Sequence, residues 1–389
     1  MLDSLPGTRL KPKGVLSIDD SLLTHYGKEF ENIAKLFDPT SDRYVWAHDL
    51  VTLHYSEDDT DYPWLSQLWK PADLTRLEQG LRAARVPLKA SKEALKETAP
   101  DKWRSYLLYV WRREEKRQPQ LRALYDSKIE IAQDLLQQWG QQHSHWKWPV
   151  TFDNWYTQPD FCRYLDQTLH LAYVGTLAET DQVILQTGKT TLQDLASRLK
   201  EQHQQALKKG KPGLFHKITI SFKGTVETYY SYCRTHHIHN LGRQRLVINY
   251  HQADLGDNPT YLISNYLKWH AAGITRIRRH RWPVEVFHEE GQAEGLDQYQ
   301  LRDFRAIQRH VALVSVVYSM LRAAQGDNDL REQLHRQLKI QLEGSAAFWR
   351  RSVQAPSLWR LGLLISAGLA QGYSLYHILT PLIQRMCGG

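Results

Sequence analysis

The chain opens with short apolar runs separated by polar turns, a pattern that predicts β-strands. Residues 15–18 (VLSI) predict a short strand, with Asp19 and Asp20 at its C-terminal edge. Residues 44–55 (YVWAHDLVTLHY) are rich in β-branched and aromatic residues and predict one or two further strands. Residues 57–75 are acidic and contain proline, so we expect a loop there.

A helical region follows and leads to a second strand that ends in an acid. Residues 72–140 are predicted to be mostly helical, and within them residues 124–139 place apolar side chains near one helical face. That periodicity predicts a helix docked on a sheet. Residues 148–156 (WPVTFDNWY) repeat the opening pattern, with apolar strand residues followed by Asp153, and residues 171–177 predict another strand.

The second half of the chain changes from helix to strand and back to helix. Residues 190–209 predict a charged helix, and residues 215–264 predict four short strands divided by polar turns, a β-rich insertion. From residue 266 onward the chain is predicted to be helical, and residues 300–324 have one continuous apolar face. The order of these elements is strand, strands, helix, strand, strand, insertion and helix.

Composition narrows the class of protein. The 389 residues include 50 Lys and Arg against 42 Asp and Glu, a net charge of +8, which suits a polyanion such as nucleic acid. The three cysteines, Cys162, Cys233 and Cys387, are widely spaced and suggest neither a disulfide framework nor a zinc ribbon, so we expect a reducing cytosol. No run of about 20 apolar residues and no signal-peptide pattern is present, so we expect neither a membrane span nor secretion.

The acids that follow two of the strands suggest a metal site. Neighbouring strands of one sheet would bring Asp20 and Asp153 together, and a helix carrying Glu285 across the same edge would add a third carboxylate. Three close carboxylates require a compensating cation, and hard oxygen ligands suit Mg²⁺ or Mn²⁺. Such a cluster is typical of metal-dependent phosphoryl chemistry.

Each acid also has an ordinary structural explanation. Asp19 and Asp20 could form a turn or a helix cap, and Asp153 could belong to a turn. Glu285 could pair with Arg281, one helical turn before it. The metal-site hypothesis therefore depends on the combination of the acids.

That combination resembles a known family. The segments SIDDS, PVTFDNWYTQPDF and RRHRWPVEVFHEEGQAEGLDQYQLR resemble the DDE transposases of bacterial insertion sequences, in the insertion-sequence-four group, whose catalytic core has an RNase H-like fold. The signature around the glutamate of that group has a tyrosine, two residues, an arginine, three residues, the glutamate, six residues and a lysine. Arg281 and Glu285 match this spacing, and the likeness extends from about residue 15 to residue 324.

The resemblance implies an α/β fold, in which an RNase H-like mixed sheet is flanked by helices and interrupted by a β-rich insertion before the last catalytic acid. It also implies a catalytic set and a reaction. Asp20 would be the first metal ligand, with Asp19 as the alternative, and Asp153 and Glu285 would be the second and third, holding Mg²⁺ or Mn²⁺. The enzyme would nick the ends of a transposon and transfer the freed 3′-hydroxyl into target DNA. Its partners would be double-stranded DNA, both terminal inverted repeats and target, bound by a homodimer in the bacterial cytoplasm, at the nucleoid.

Two departures from the family pattern leave other functions open. The signature tyrosine falls on Arg278 and the signature lysine on Gln292, and only nineteen residues precede Asp20, where relatives usually carry a DNA-end-binding region. We therefore expect a short variant, a truncated copy or one with a misplaced start. The alternatives to a transposase are an inactive DNA-binding descendant and a metal-dependent nuclease that nicks without strand transfer.

A basic run at residues 275–281 directly precedes Glu285 and is predicted to hold phosphates, whereas Trp155 could stack on an unpaired base. The predicted DNA-contacting residues are Arg276, Arg278, Arg279, Arg281, Trp155, Gln292 and Arg302.

The predicted units are a short N-terminal segment (1–14), the first part of an RNase H-like catalytic core (15–186), the β-rich insertion (187–264), the remainder of the core with the glutamate helix (265–325) and a C-terminal helical region (326–389).

Overall fold

The structure is a computed structural model that describes residues 8–338 and 346–380. Parts of the predicted N-terminal and C-terminal units lie outside these residues, as does Cys387. Cys162 and Cys233 are free thiols. In the described part of the chain, no helix has both the length and the apolar character needed to cross a membrane.

The described residues form a single mixed sheet of 12 strands with helices around it. The strands are β1 (Val15–His25), β2 (Ala34–Asp38), β3 (Arg43–Ser56), β4 (Asp61–Leu68), β5 (Val150–Phe152), β6 (Tyr173–Leu177), β7 (Gln182–Leu185), β8 (Gly188–Thr191), β9 (His216–Phe222), β10 (Thr225–Ile238), β11 (Gly242–Tyr250) and β12 (Thr260–Ser264). The α-helices are α1 (Leu74–Ala83), α2 (Leu95–Thr98), α3 (Pro100–Glu115), α4 (Lys128–Gln142), α5 (Pro159–Arg163), α6 (Leu192–Lys208), α7 (Ala271–Arg279), α8 (Trp282–Ala293), α9 (Phe304–Gln325), α10 (Asn328–Leu338) and α11 (Ala346–Ala370).

The first part of the sheet has the RNase H-like arrangement. β4, β3 and β1 are antiparallel neighbours, and β5 and β6 follow in parallel beside β1. The fold is therefore the α/β fold, with a mixed sheet flanked by helices, that the resemblance implied. The four strands predicted over residues 215–264 are confirmed as β9 to β12, and they continue the same sheet because β12 pairs with β6. The β7–β8 hairpin crosses the boundary that was placed between residues 186 and 187.

Two local predictions are wrong. The loop expected over residues 57–75 contains β4, which pairs with β3 at the edge of the sheet. An edge strand tolerates Pro63, which is why the proline misled the sequence-based assignment. β1 also does not end at its acids, because β3 pairs with it as far as His25. Asp19 and Asp20 consequently lie in the middle of a strand.

Apolar side chains cover both faces of the central strands. On one face, Leu16 and Ile18 pack with Ile131 and Leu135 of α4, a helix that begins at a Ser127 capping box. On the other face, Leu23 packs with residues of α8 and α9. The apolar face predicted for α9 is confirmed, because Phe304, Ile307, Val311, Val314 and Tyr318 are all buried. The two faces of β1 are thus covered by different helices.

Residues 72–125, which we call the helical lobe, form a separate small core. Leu77 and Leu81 of α1 pack against Trp103, Leu107 and other apolar residues of α3. The lobe lies in the chain between β4 and α4. The Trp69 indole N–H donates to the Tyr125 hydroxyl at 2.9 Å and thereby connects the lobe to the end of β4.

A buried charge cluster ties three distant elements together. Asp61 of β4 is 1% exposed and accepts from Lys223, in the β9–β10 turn, and from Arg322 of α9, the latter at 2.5 Å. His54 Nε2 lies 3.6 Å from the same carboxylate. Burial opposes the charge of Asp61, but the neighbouring cations outweigh it and lower its pKa.

The buried side chain of His280 should make the stability of the folded protein depend on pH. It is fully buried beside Phe222 and hydrogen-bonds the Ser56 hydroxyl at 3.0 Å, and burial lowers its pKa to about 3. The folded pKa lies below the unfolded value, so the unfolded chain binds the proton first as the pH falls, and stability is lost below about pH 6.5. We expect His280→Asn to be less stable than the parent at about pH 7.5, and the deficit to shrink by about 1.4 kcal/mol per pH unit between about pH 6 and pH 4.

The measurement is urea unfolding of both proteins at several pH values. Carboxyl groups that titrate over the same pH range affect both proteins equally. Their contribution therefore cancels when the unfolding free energy of one protein is subtracted from that of the other. A deficit that stays constant with pH would contradict the buried neutral histidine.

Candidate active site

The alternation of side chains along β1 separates the two adjacent acids. Asp20 points to the same face as Leu16 and Ile18, towards α4, whereas Asp19 points to the face covered by α8. In the parallel pairing of β1 with β5, Ile18 is opposite Phe152. Asp153, the residue that follows the end of β5, therefore comes level with Asp19, which lies within β1.

Asp19 and Glu285 share one guanidinium group. Arg281 donates from Nη1 to Asp19 at 2.6 Å and from Nη2 to Glu285, one helical turn further along the chain. Burial raises the pKa of the Asp19 carboxyl to about 7; Arg281 opposes this shift, and Asp153, Asp20 and Glu285 add to it. Negative charge from β1, from the residue after β5 and from α8 thus converges around Asp19.

Asp153 is held by the turn that follows β5. Its carboxylate accepts the backbone N–H groups of Trp155 at 3.0 Å and Tyr156 at 3.2 Å. Burial raises the pKa of Asp153, the two N–H groups and Arg281 lower it, and Asp20 raises it further. The turn predicted for the sequence DNWY is therefore present, and it fixes the carboxylate rather than merely reversing the chain.

Asp20 takes part in a different set of contacts. It accepts from Lys128 Nζ at 2.7 Å and from the Tyr156 hydroxyl at 2.8 Å. Lys128 also lies 3.0 Å from Asp49 of β3, whose pKa is raised to about 7 by burial and by the nearby Asp20 charge. Neither Asp49 nor Lys128 was predicted from the sequence to belong to the site. An acid inside an otherwise apolar strand was the available signal for Asp49, but nothing local marks Lys128.

A groove of about 1150 Å³ opens at Asp19, Asp20, Asp49 and Asp153, and Glu285 does not line it. Its floor includes these four acids and Lys128. Its walls are formed by α3 of the helical lobe and by residues 37–40, at the end of β2 and in the turn after it. The acids of the floor are thus accessible from solvent, even though the Asp19 side chain is largely buried.

The arginines of the basic run are engaged within the protein. Arg276 pairs with Asp58 at 2.5 Å, Arg279 with Glu227 at 2.7 Å, and Arg278 Nε donates to the Thr176 hydroxyl at 2.8 Å. Burial lowers the pKa of Arg278 to about 10. These contacts connect α7 to the turn between β3 and β4, to β10 of the insertion and to β6. Contact with phosphate remains a prediction for these residues.

The other predicted DNA-contacting residues are distributed unevenly. Trp155 and Gln292 line the groove, and Lys128 Nζ lies 4.4 Å from the centre of the Trp155 ring. Arg302 precedes α9 and pairs with Glu29 at 2.8 Å on the exposed surface, and it does not line the groove.

The donor set suits a hard divalent cation, although it is not arranged as a closed metal site. Within the described ranges, no three His, Cys, Asp or Glu side chains form a group that could hold a metal ion. Arg281 instead donates hydrogen bonds to two of the acids, Asp19 and Glu285. The carboxylate oxygens of Asp19, Asp153 and Glu285 are the ligand type that Mg²⁺ prefers, and their crowding disfavours the charged forms unless a cation is near.

Comparison with known protein families gives a match over the first part of the chain. Residues 4–212 match the family described as DDE superfamily endonuclease. The matched segment contains Asp19, Asp20 and Asp153, and it ends before Glu285. No curated protein matches the chain.

Proposed function

The chain belongs to the DDE superfamily endonucleases, and on that premise we propose that it is an insertion-sequence transposase. It would nick DNA at the transposon ends and join the freed 3′-hydroxyl to target DNA. The insertion-sequence-four group remains a resemblance carried by the signature around Glu285.

One observation is the main support for the proposed catalytic residues. Arg281 joins Asp19 to Glu285, two acids that are 266 positions apart in sequence, and it matches the arginine of the signature. Asp153 directly follows Phe152, the β5 residue opposite Ile18, and so comes level with Asp19. These contacts support Asp19, Asp153 and Glu285 as the metal-binding acids. Asp20 was the first choice from sequence, but its carboxylate is engaged by Lys128 and Tyr156 on the opposite face of β1.

The residues have separable tasks in this proposal. Asp19, Asp153 and Glu285 would hold Mg²⁺ or Mn²⁺, which would activate the attacking oxygen and stabilise the leaving oxygen. The N–H groups of Trp155 and Tyr156 hold the Asp153 carboxylate in place. Arg281 brings a guanidinium to the same acids and is therefore suited to a phosphate at the scissile bond.

The proposed partner is double-stranded DNA, with the terminal inverted repeats and the target as substrates. The net charge of +8 favours a polyanion. We propose a homodimer on DNA, because both ends must be processed together. Its support is the exposed apolar surface of α9 and α11, which includes Leu313, Val316, Leu358 and Trp359. A cytoplasmic, nucleoid-associated location follows from the proposed substrate.

The test is cleavage of a labelled duplex that carries the terminal repeat of the element. We expect nicking at the repeat boundary with Mg²⁺, and a loss of about a hundredfold or more for Asp153→Ala, because a metal ligand contributes several kcal/mol to transition-state stabilisation. Removal of the divalent ion with a chelator should abolish nicking by the parent protein. Light scattering of the same protein–DNA complex tests whether two chains are present.

The possible results distinguish the three functions. Nicking without joined products would identify a nuclease that lacks strand transfer. Specific binding with no cut, in Mg²⁺ and in Mn²⁺, would identify an inactive DNA-binding descendant. Nicking that survives in Asp153→Ala would refute the proposed metal-binding set.

A further inference from the structure

The groove at the acids has a second wall that the catalytic set does not explain. This wall is part of α3 in the helical lobe, and Leu108, Tyr109 and Arg112 line the groove there. The lobe has its own apolar core, so its position over the acids is not required to bury the central sheet. The position of this wall is therefore better explained by contact with a ligand in the groove.

Three aromatic side chains that line the groove are exposed, namely Phe37, Tyr109 and Trp155. Trp155 belongs to the floor, beside Asp153, and is 41% exposed. Tyr109 belongs to the wall and is 65% exposed, although a large aromatic side chain normally buries most of its surface. Aromatic rings that remain exposed inside a groove are the surfaces on which unpaired bases stack. Bases inside a duplex do not present their faces to such rings.

The charges of the groove also favour single-stranded DNA over duplex DNA. Most of its charged floor is acidic, and Lys128 is neutralised by Asp20 and Asp49. Arg112 lies three residues after Tyr109, on the same face of α3, and forms no ion pair within the part of the chain that the structure describes. The single guanidinium of Arg112 can balance a phosphate of one DNA strand, whereas a duplex brings one negative charge per about 1.7 Å.

We propose that the groove binds a short unpaired stretch of DNA strand next to the scissile bond. One base stacks on Tyr109, and a neighbouring phosphate is held by Arg112. The helical lobe is then the element that selects a frayed or single-stranded end. The position of the scissile bond in this scheme rests on the proposed function, but the binding site itself can be measured without any cleavage.

The experiment compares two DNA probes by fluorescence anisotropy in the presence of a chelator, so that no cleavage occurs. One probe is a blunt duplex, and the other is the same duplex with a short unpaired tail. We expect the parent protein to bind the tailed probe more tightly. Tyr109→Ala should weaken binding of the tailed probe about tenfold, since stacking of one base is worth about 1–3 kcal/mol. Binding of the blunt probe should stay within about twofold, because its bases are not available for stacking.

Arg112→Ala should weaken binding of the tailed probe and reduce its salt dependence by about one phosphate contact. Arg113→Ala is the matched control, because Arg113 is the next residue of α3, pairs with Glu114 and does not line the groove. Tyr266→Ala controls for loss of an exposed tyrosine elsewhere, since Tyr266 is 48% exposed outside the groove. Both controls should bind the tailed probe like the parent.

Three results would overturn the inference. These are equal binding of the two probes by the parent, unchanged binding of the tailed probe by Tyr109→Ala, and equal weakening of both probes by that variant. Each of them is independent of the cleavage assay, so the inference can fail while the proposed nicking activity stands. Conversely, tail-specific binding that depends on Tyr109 supports it even in a protein that does not cut.

Discussion

Asp19→Asn is expected to lower metal-dependent DNA cleavage by about a thousandfold, equivalent to about 4 kcal/mol of transition-state stabilisation, while Asp20→Asn stays within about tenfold of the parent. The reason is the direction of the two side chains. Asp19 shares Arg281 with Glu285, whereas Asp20 is held by Lys128 and Tyr156 on the other face of β1. An amide can still accept hydrogen bonds at position 20, but an amide is a weaker ligand for a hard cation at position 19.

The measurement is the nicking rate of each variant at saturating Mg²⁺, together with Mn²⁺ binding by calorimetry. Asp38→Asn is a suitable control because Asp38 also lines the groove but is the last residue of β2, in the wall and not among the acids of the floor. Mn²⁺ affinity should fall in Asp19→Asn and persist in Asp20→Asn. The reverse order, with activity lost only in Asp20→Asn, would restore Asp20 as the ligand.

Asp61→Asn is expected to destabilise the folded protein by about 3 kcal/mol, because removal of one partner leaves buried cations without an anion. The cations are Lys223, in the β9–β10 turn, and Arg322 of α9, and both contact the Asp61 carboxylate directly. Their own side chains are 25% and 21% exposed, so water offsets part of the loss. The estimate therefore lies at the lower end of the range for buried pairs.

Urea unfolding of the parent and of Asp61→Asn provides the measurement. Asp58→Asn is the matched control, since Asp58 pairs with Arg276 but is 42% exposed, and we expect it to cost less than about 1 kcal/mol. Equal effects of the two substitutions would show that the Asp61 cluster contributes no more than a surface ion pair. Cleavage by Asp58→Asn should remain near the parent level.

Much of the local structure followed from the sequence. The four strands over residues 215–264 were predictable because each is a short run of β-branched and aromatic residues bounded by polar turns. The apolar face of α9 was predictable because residues three and four apart lie on one side of a helix. β4 was not, because the acids and Pro63 that mark loops are also tolerated on an edge strand.

The candidate site was only partly predictable. Asp153 was found because it directly follows an apolar strand, and Glu285 because Arg281 precedes it at the signature spacing. Lys128 was not found, because its contacts with Asp20 and Asp49 join α4 to two strands that are distant in sequence. The expectation that the basic run faces DNA also overlooked Asp58 and Glu227, which pair with two of its arginines.

The sequence by itself determined many of the strands and helices, the acids available for chemistry and the family, because these depend on local periodicity and on residues at fixed spacing. The tertiary structure alone decided that Asp19 faces Glu285 while Asp20 faces Lys128, and that the helical lobe forms a wall of the groove. The physical reason is that adjacent strand residues point to opposite faces. Which face meets which helix is then fixed only by pairing and packing between segments far apart in the chain.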